Sequence, residues 1–278
     1  MAIGKHYKSM DTSNKPSVAK SFPAISITKS IKNRRAYSRK YKVQNKSNSS
    51  ILLSFLGTNC GGLNLKRESF FKLVNNFQPS IITLQETKFY QVGTVKLHGY
   101  QVFETVREGR NGGGLLTAAL FSLEPMLITS DVENDIMTTQ INIASFKIRI
   151  INGYGPQEDD DDTIIMNFWN KIEAEVIEAK NEGCFIMIEM DANAKVGNSV
   201  IQNDHNSMTD NGRKMLDVLD RNGLFIANSS GKCKGTITRT RQFLDVTEQS
   251  AIDFIILCER MKELLIWMNI DEARNDVL

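Results

Sequence analysis

Nowhere in the 278 residues does an apolar run reach the eighteen or so needed to span a bilayer, so an integral membrane protein is not expected. Cysteine is scarce: Cys60, Cys184, Cys233 and Cys258 are scattered, and no two form a C-x-x-C pair. That argues against a disulfide scaffold and a structural zinc site, and it suits a reducing compartment. The apolar stretch Phe22–Ile27 is too short for the core of a signal peptide. No repeat of 20–50 residues is present. These absences point to a soluble intracellular chain. What is present, 41% hydrophobic and 24% charged residues, is enough to build a sizeable core.

The formal charge of +2 conceals an asymmetry. Residues 1–50 hold twelve of the 34 basic residues and a single acid, Asp11; residues 51–278 hold 22 basic and 31 acidic residues. The chain therefore divides into a basic tail, 1–50, and a mildly acidic body, 51–278. The tail is rich in Ser and Asn and poor in clustered apolar residues, a composition expected to be disordered. Its densest part, Lys32–Lys42, has six basic residues in eleven. Such a run suits a nucleic-acid contact or a nuclear address; a solvated linker fits about as well, and a mitochondrial presequence is a weaker third reading.

From Ile51 the pattern is that of one compact domain containing helices and strands. Strands are expected at Ile51–Gly57, Ile81–Glu86, within Gly112–Phe121, at Thr138–Ala144, Phe146–Tyr154, Phe185–Met190, Leu224–Ala227, Thr236–Thr240 and Ala251–Cys258. Helices are expected over Lys66–Phe77, Thr163–Asn181 and Gly212–Arg221, where apolar residues recur every three or four positions. Several strands follow one another without a crossover helix, so a purely parallel sheet is not expected. Two sheets packed face to face, with helices outside, would cover the apolar runs on both sides.

Polar residues that sit where strands end carry the functional information. Asn59 follows the first strand in Gly57–Leu63; Glu86 ends the next, in Leu84–Lys88; Tyr154 ends another, in Asn152–Gln157. Asp191 and Asn193 end a fourth in Ile188–Ala194, and Asp253 lies in Ser250–Ile256. An acid inside an apolar strand is costly unless it is paired or binds a metal. Taken singly, each has a plain structural role open to it: Asn59 in a turn, Glu86 as a strand cap, Asp253 in a salt bridge. Three other features read as structure. The acids Glu158–Asp162 precede a helix whose N-terminus favours negative charge. Gly112–Gly114 lacks the Lys-Ser/Thr of a phosphate cradle. Phe185–Met190 reads as a core strand.

The ordered series Thr-Asn-Cys-Gly-Gly-Leu, Leu-Gln-Glu-Thr-Lys, Gly-Tyr-Gly-Pro, Asp-Ala-Asn-Ala and Ser-Ala-Ile-Asp-Phe resembles the endonuclease/exonuclease/phosphatase family. Asp210–Leu224 and Gly235–Arg239 are most similar to the endonuclease domains of LINE-type non-LTR retrotransposons. The resemblance spans about Leu53–Leu278 and implies an α+β fold, a four-layer α/β/β/α sandwich. It implies an Mg²⁺-dependent DNA endonuclease, with Mn²⁺ as a possible substitute, in which Glu86 is the main metal ligand with Asn59 beside it. By the same resemblance Asp191 activates or orients the attacking water, Asn193 holds the water or a phosphate oxygen, and Tyr154 donates to the phosphate or leaving group. Asp253 would orient a histidine.

Three departures accompany the resemblance. The family pattern ends in a Ser-Asp-His-type motif downstream of the position of Asp253. His6, His98 and His205 all lie upstream, so a last strand is expected to be missing, with a bared sheet edge and impaired activity. Met190 stands where Gly is usual before the Asp, and Gly61 where many members carry Asp or Asn. The alternatives are a phosphatase of a small phosphate ester on the same fold, or a non-catalytic remnant whose basic tail binds nucleic acid. The acidic body is a mild argument against DNA, since phosphate-backbone affinity draws on basic surface.

Overall fold

A computed structural model of the chain describes residues 24–28, 50–107, 112–143, 145–243 and 246–270. Apart from 24–28 and Ser50, the expected tail lies outside these residues, as do Ala144 and 271–278. No helix among the described residues is long and apolar enough to cross a membrane.

Two sheets form the body. In the first, β2 (Ser50–Asn59) runs parallel to β3 (Ile81–Gln85), which pairs antiparallel with β5 (Leu116–Leu120), and β5 with β4 (Tyr100–Glu104). On its other side β2 pairs antiparallel with β1 (Ala24–Thr28). β1 pairs in turn with β15 (Leu265–Asn269), and β15 with the short β11 (Cys233–Lys234). Five residues of the expected tail are thus a strand of the sheet, and β2 is paired on both sides. The second sheet runs in the order β10 (Leu224–Ile226), β14 (Asp253–Cys258), β9 (Phe185–Asp191), β8 (Phe146–Tyr154), β7 (Ile136–Ile143) and β6 (Met126–Asp131). Of its pairings only β8 with β9 is parallel. A separate hairpin joins β12 (Arg239–Phe243) to β13 (Val246–Ser250).

Strand alternation explains the layering. Along β2 and β3, Leu56, Ile82 and Leu84 face outward into a cluster with Phe70, Leu73 and Val74 of helix α1 (Arg67–Phe77). Phe55 and Ile81, one residue away, face inward and join a cluster with Ile150, Ile188 and Phe254 of the second sheet. That cluster continues beyond the second sheet to Phe168, Trp169 and Ile172 of α2 (Asp162–Asn181) and Met215 of α3 (Asp210–Arg221). The order helix, sheet, sheet, helices is the four-layer α+β sandwich expected from the sequence.

Local signals behave as their chemistry requires. Asp161, in the acidic run, caps α2 by accepting from Thr163 N at 2.8 Å, and Asp162 pairs with Lys214. Gly113 and Gly114 form a turn into β5, their carbonyls accepting from Lys88 N and Thr87 N. Both have positive φ, and a Cβ on Gly114 would crowd Thr87 Oγ1 at 2.7 Å.

Candidate active site

The fold carries the six strand-end residues to one end of the sandwich. In the first sheet Asn59 and Gln85 are parallel partners, and Glu86 follows with φ +49°. In the second sheet Tyr154 and Asp191 are parallel partners, and Asp253, starting the antiparallel β14, faces Asp191 from the other side. Parallel pairing of β2 with β3 and of β8 with β9 makes four C-terminal ends coincide, as an antiparallel pairing would not.

The halves meet through one amide. Asn59 Nδ2 donates to Glu86 Oε1 at 2.9 Å and, across the sandwich, to Asp191 Oδ2 at 2.6 Å. Its Oδ1 accepts from Gly61 N at 3.0 Å, which makes the Gly61 turn part of how Asn59 is aimed. The Lys88 ammonium lies 2.8 Å from Glu86 Oε2. Burial would push the Glu86 carboxyl up, but hydrogen bonds from Asn59, Lys88 and Tyr154, with the Lys88 charge, bring it below the ordinary carboxylate range. Tyr154 shows the converse: burial, then the Glu86 and Asp191 charges, push its phenol well up, so it is a neutral O–H donor. Arg107, ion-paired to the buried Asp135, sits 5.9 Å over the Tyr154 ring, and the Asp135 carbonyl accepts from Tyr154 N.

Asp191 is 4% exposed and accepts from Asn193 N at 3.0 Å. Asn193 takes the left-handed φ of +46°, and its Nδ2 donates to the Gly155 carbonyl. Met190 does not disturb this turn. It faces the helix side of β9, wholly buried, with its Cε 3.4 Å from where a Cβ on Gly153 would stand. Asp191 on the opposite face keeps its register with Tyr154 and Asp253. The backbone around Asp253 is tied by Thr238 Oγ1, which accepts from Ile252 N and Asp253 N. His98 and His205 are exposed, and His6 lies outside the described residues.

Some residues that build the site were given no site role in the sequence reading, Asn211 among them although it lies in the retroelement-like stretch Asp210–Leu224. Asn211 at the start of α3 is 1% exposed; its Nδ2 reaches the carbonyls of Pro156, Ala192 and Asn193, and its Oδ1 accepts from Trp169 Nε1 at 2.7 Å. It holds together the loops after β8 and β9. Glycine at 212 follows from the same contact, because a Cβ there would overlap the Lys195 carbonyl. Arg107 had no sequence signal. Glu189 had one, an acid inside the apolar Phe185–Met190.

No family model and no curated protein matches the sequence. Solved structures do. The endonuclease domain of TRAS1, a telomere-specific non-LTR retrotransposon, superposes with TM-score 0.55 over 76% of this chain and 87% of its own, at 18% identity. The AP endonuclease LMAP from Leishmania major gives 0.60 over 74% and 79%, at 13% identity. The chain has the endonuclease/exonuclease/phosphatase fold. An AP endonuclease from Archaeoglobus fulgidus, at 16% identity, shares the same fold with TM-score 0.53 over 76% of this chain and 88% of its own.

For a hard divalent cation the site offers the Glu86 carboxylate, beside which Asn59 turns its Nδ2 toward Glu86 and its Oδ1 toward Gly61 N. Among the described residues no three His, Cys, Asp or Glu side chains cluster as a closed metal cage. Mg²⁺ rarely uses such a cage; it keeps several waters and takes one or two carboxylates with substrate phosphates. Glu86, ionised and half-buried beside the Asn59 amide, provides that kind of partial shell.

Proposed function

We propose that this chain is an Mg²⁺-dependent endonuclease domain of retroelement origin that hydrolyses phosphodiester bonds in DNA. The observation that carries the proposal is the Asn59 amide joining Glu86 of one sheet to Asp191 of the other. It gathers two carboxylates, one suited to bind a cation and the other to act as a base, into one polar site. Proteins of similar fold support a DNA substrate: a retrotransposon endonuclease domain, AP endonucleases, and a D. rerio TDP2 complexed with single-strand DNA product.

Phosphodiester hydrolysis requires a neutralised phosphate, an activated water and a stabilised leaving oxygen. Glu86 would hold Mg²⁺, with Asn59 beside it; the ion when bound supplies phosphate neutralisation and favours the leaving alkoxide. Asp191 orients and deprotonates the water, and Asn193 holds that water or a phosphate oxygen. Tyr154 stays protonated and donates to the phosphate or leaving oxygen, a role suited to a phenol beside two carboxylates. Asp253 stands in register with Asp191 on the neighbouring strand. In this scheme the proton on the leaving side comes from water. The basic tail adds affinity for the phosphate backbone, and Lys32–Lys42 serves as a nuclear address.

The test is nicking of supercoiled plasmid by the purified chain in Mg²⁺ or in EDTA, beside a Glu86→Gln variant. Mg²⁺-dependent nicking that the substitution removes is the expected result. A folded wild-type chain that leaves the plasmid intact would overturn the proposal.

A further inference from the structure

One rung below the site lies a second polar group, wholly inside the sandwich. Gln85 Nε2 donates to Asn152 Oδ1 at 2.7 Å and to Glu189 Oε2 at 2.5 Å. Thr83 also hydrogen-bonds Glu189. Asn152 Nδ2 donates to the Leu116 carbonyl at 2.9 Å and, at 3.3 Å, to the Leu84 carbonyl and Thr117 Oγ1. Gln85 and Asn152 are fully buried and Glu189 is 4% exposed. The network ties β3 and β5 of the first sheet to β8 and β9 of the second.

Its placement follows the site residue by residue. Gln85 immediately precedes Glu86. Asn152 stands two before Tyr154, and Glu189 two before Asp191, a spacing that puts each pair on the same face of its strand. Asn152 and Glu189 are register partners, and so are Tyr154 and Asp191. Gln85 is the partner of Asn59. The chain also keeps a space clear, because a Cβ on Gly57 would overlap Glu189 Oε1.

Burying these groups is costly, and apolar side chains would hold the sheets together at least as well. Apolar contact is non-directional, however, whereas hydrogen bonds fix spacing and register. The site needs that, since Asn59 and Glu86 belong to one sheet and Tyr154, Asp191 and Asn193 follow strands of the other. We infer that the Gln85–Asn152–Glu189 network is a positioning lock that sets the distance between the two halves of the active site, with Glu189 as its central residue. Burial pushes the Glu189 carboxyl up to about 7, hydrogen bonds from Thr83 and Gln85 opposing it. Gln85 Oε1 is buried and accepts no hydrogen bond, and the O–H of a neutral acid is a donor suited to it.

This inference rests on the proposed nuclease reading for its rate measurement, so a cation-binding measurement accompanies it. The full chain and its Glu189→Gln, Glu189→Leu and Gly57→Ala variants would be compared for Mn²⁺ affinity by electron paramagnetic resonance, single-turnover plasmid nicking, DNA affinity in EDTA and melting temperature. Glu189→Gln is expected to rescue, because an amide can both donate to and accept from Gln85. Glu189→Leu takes the acceptor from the buried Gln85 Nε2 and should melt lower than wild type, yet at a temperature where it stays folded it should lose about ten- to a hundredfold in Mn²⁺ affinity or nicking rate, the scale of losing a group that orients a ligand. DNA affinity in EDTA should stay unchanged. Gly57→Ala, which pushes Glu189 aside without altering any lock member, should show the same loss. Folded Glu189→Leu and Gly57→Ala variants with wild-type Mn²⁺ affinity and rate would overturn the lock. A wild-type chain that binds Mn²⁺ but does not nick would refute the nuclease reading and leave the Mn²⁺ comparison to decide the lock. A wild-type chain that does neither would overturn both.

Discussion

Strand β3 faces two interiors of opposite character. On its outer side Ile82 and Leu84 meet Leu56, Phe70, Leu73, Val74, Leu116 and Ala118 in an apolar layer. On its inner side Thr83 and Gln85 meet Asn152 and Glu189, and they reach the candidate active site within two residues. The outer layer contributes stability through area removed from water, on the order of 1.5–3 kcal/mol for each large side chain buried. The inner layer forgoes part of that gain and obtains directional contacts. Stability and position are therefore assigned to different faces of one strand, and mutations should separate them.

The sharpest separation is expected at Asp191. Asp191→Asn should lower the single-turnover nicking rate by about 10³-fold, the scale of losing a general base, while circular dichroism still reports one cooperative unfolding transition. The reverse pattern belongs to the apolar layer. Phe70→Ala should cost about 3–5 kcal/mol in denaturant unfolding, and at a temperature where the variant stays folded its nicking rate should hold. A large rate loss there would break the division of labour.

A smaller effect, on pH dependence, sharpens the contrast. The Glu189 carboxyl ionises at about 7 when folded, above its ordinary value of 4.5, so the native state holds the proton over an interval in which the unfolded chain has lost it. The stability this provides is complete below pH 4.5 and is lost as pH rises to about 7. The loss is on the order of 3 kcal/mol. Glu86, held below its ordinary value, has the opposite sign and loses its contribution as pH falls. Urea unfolding of wild type and Glu189→Gln from pH 4.5 to 8 isolates the first slope, and equal slopes in both chains would contradict it. The smallest effect is expected outside both interiors. Asn211→Ala should cost about 1–3 kcal/mol, because Trp169 Nε1 loses its acceptor in a buried setting, and should lower the nicking rate less than Asp191→Asn.

Helices were the most legible part of the fold. The spacing of apolar residues predicts Lys66–Phe77 and Thr163–Asn181, and the helices run Arg67–Phe77 and Asp162–Asn181. Strands were less so. Thr236–Thr240 reads as a strand, but the strand is Arg239–Phe243, because Thr238 spends its hydroxyl on the backbone of Ile252 and Asp253. Strand β6 was missed because it lies at the sheet edge, half-exposed and without alternation. Asn59, Glu86, Tyr154, Asp191, Asn193 and Asp253 were visible as polar interruptions at strand ends. Gln85, Asn152 and Asn211 were not, because a buried amide is marked in sequence by nothing but its neighbours.

Read alone, the sequence settles what is periodic and local: the helical stripes, the alternation of β3, the acidic cap of α2 and the uneven charge. Alternation shows which residues share a face; it cannot show what that face meets. Gln85 and Glu189 are 104 residues apart, and only the packing of one sheet on the other brings them to 2.5 Å. Asn59 and Asp191, 132 residues apart, depend on the same packing. The tertiary structure decided both contacts, because hydrogen bonds across a sandwich follow from how whole sheets stack rather than from any local preference of the chain.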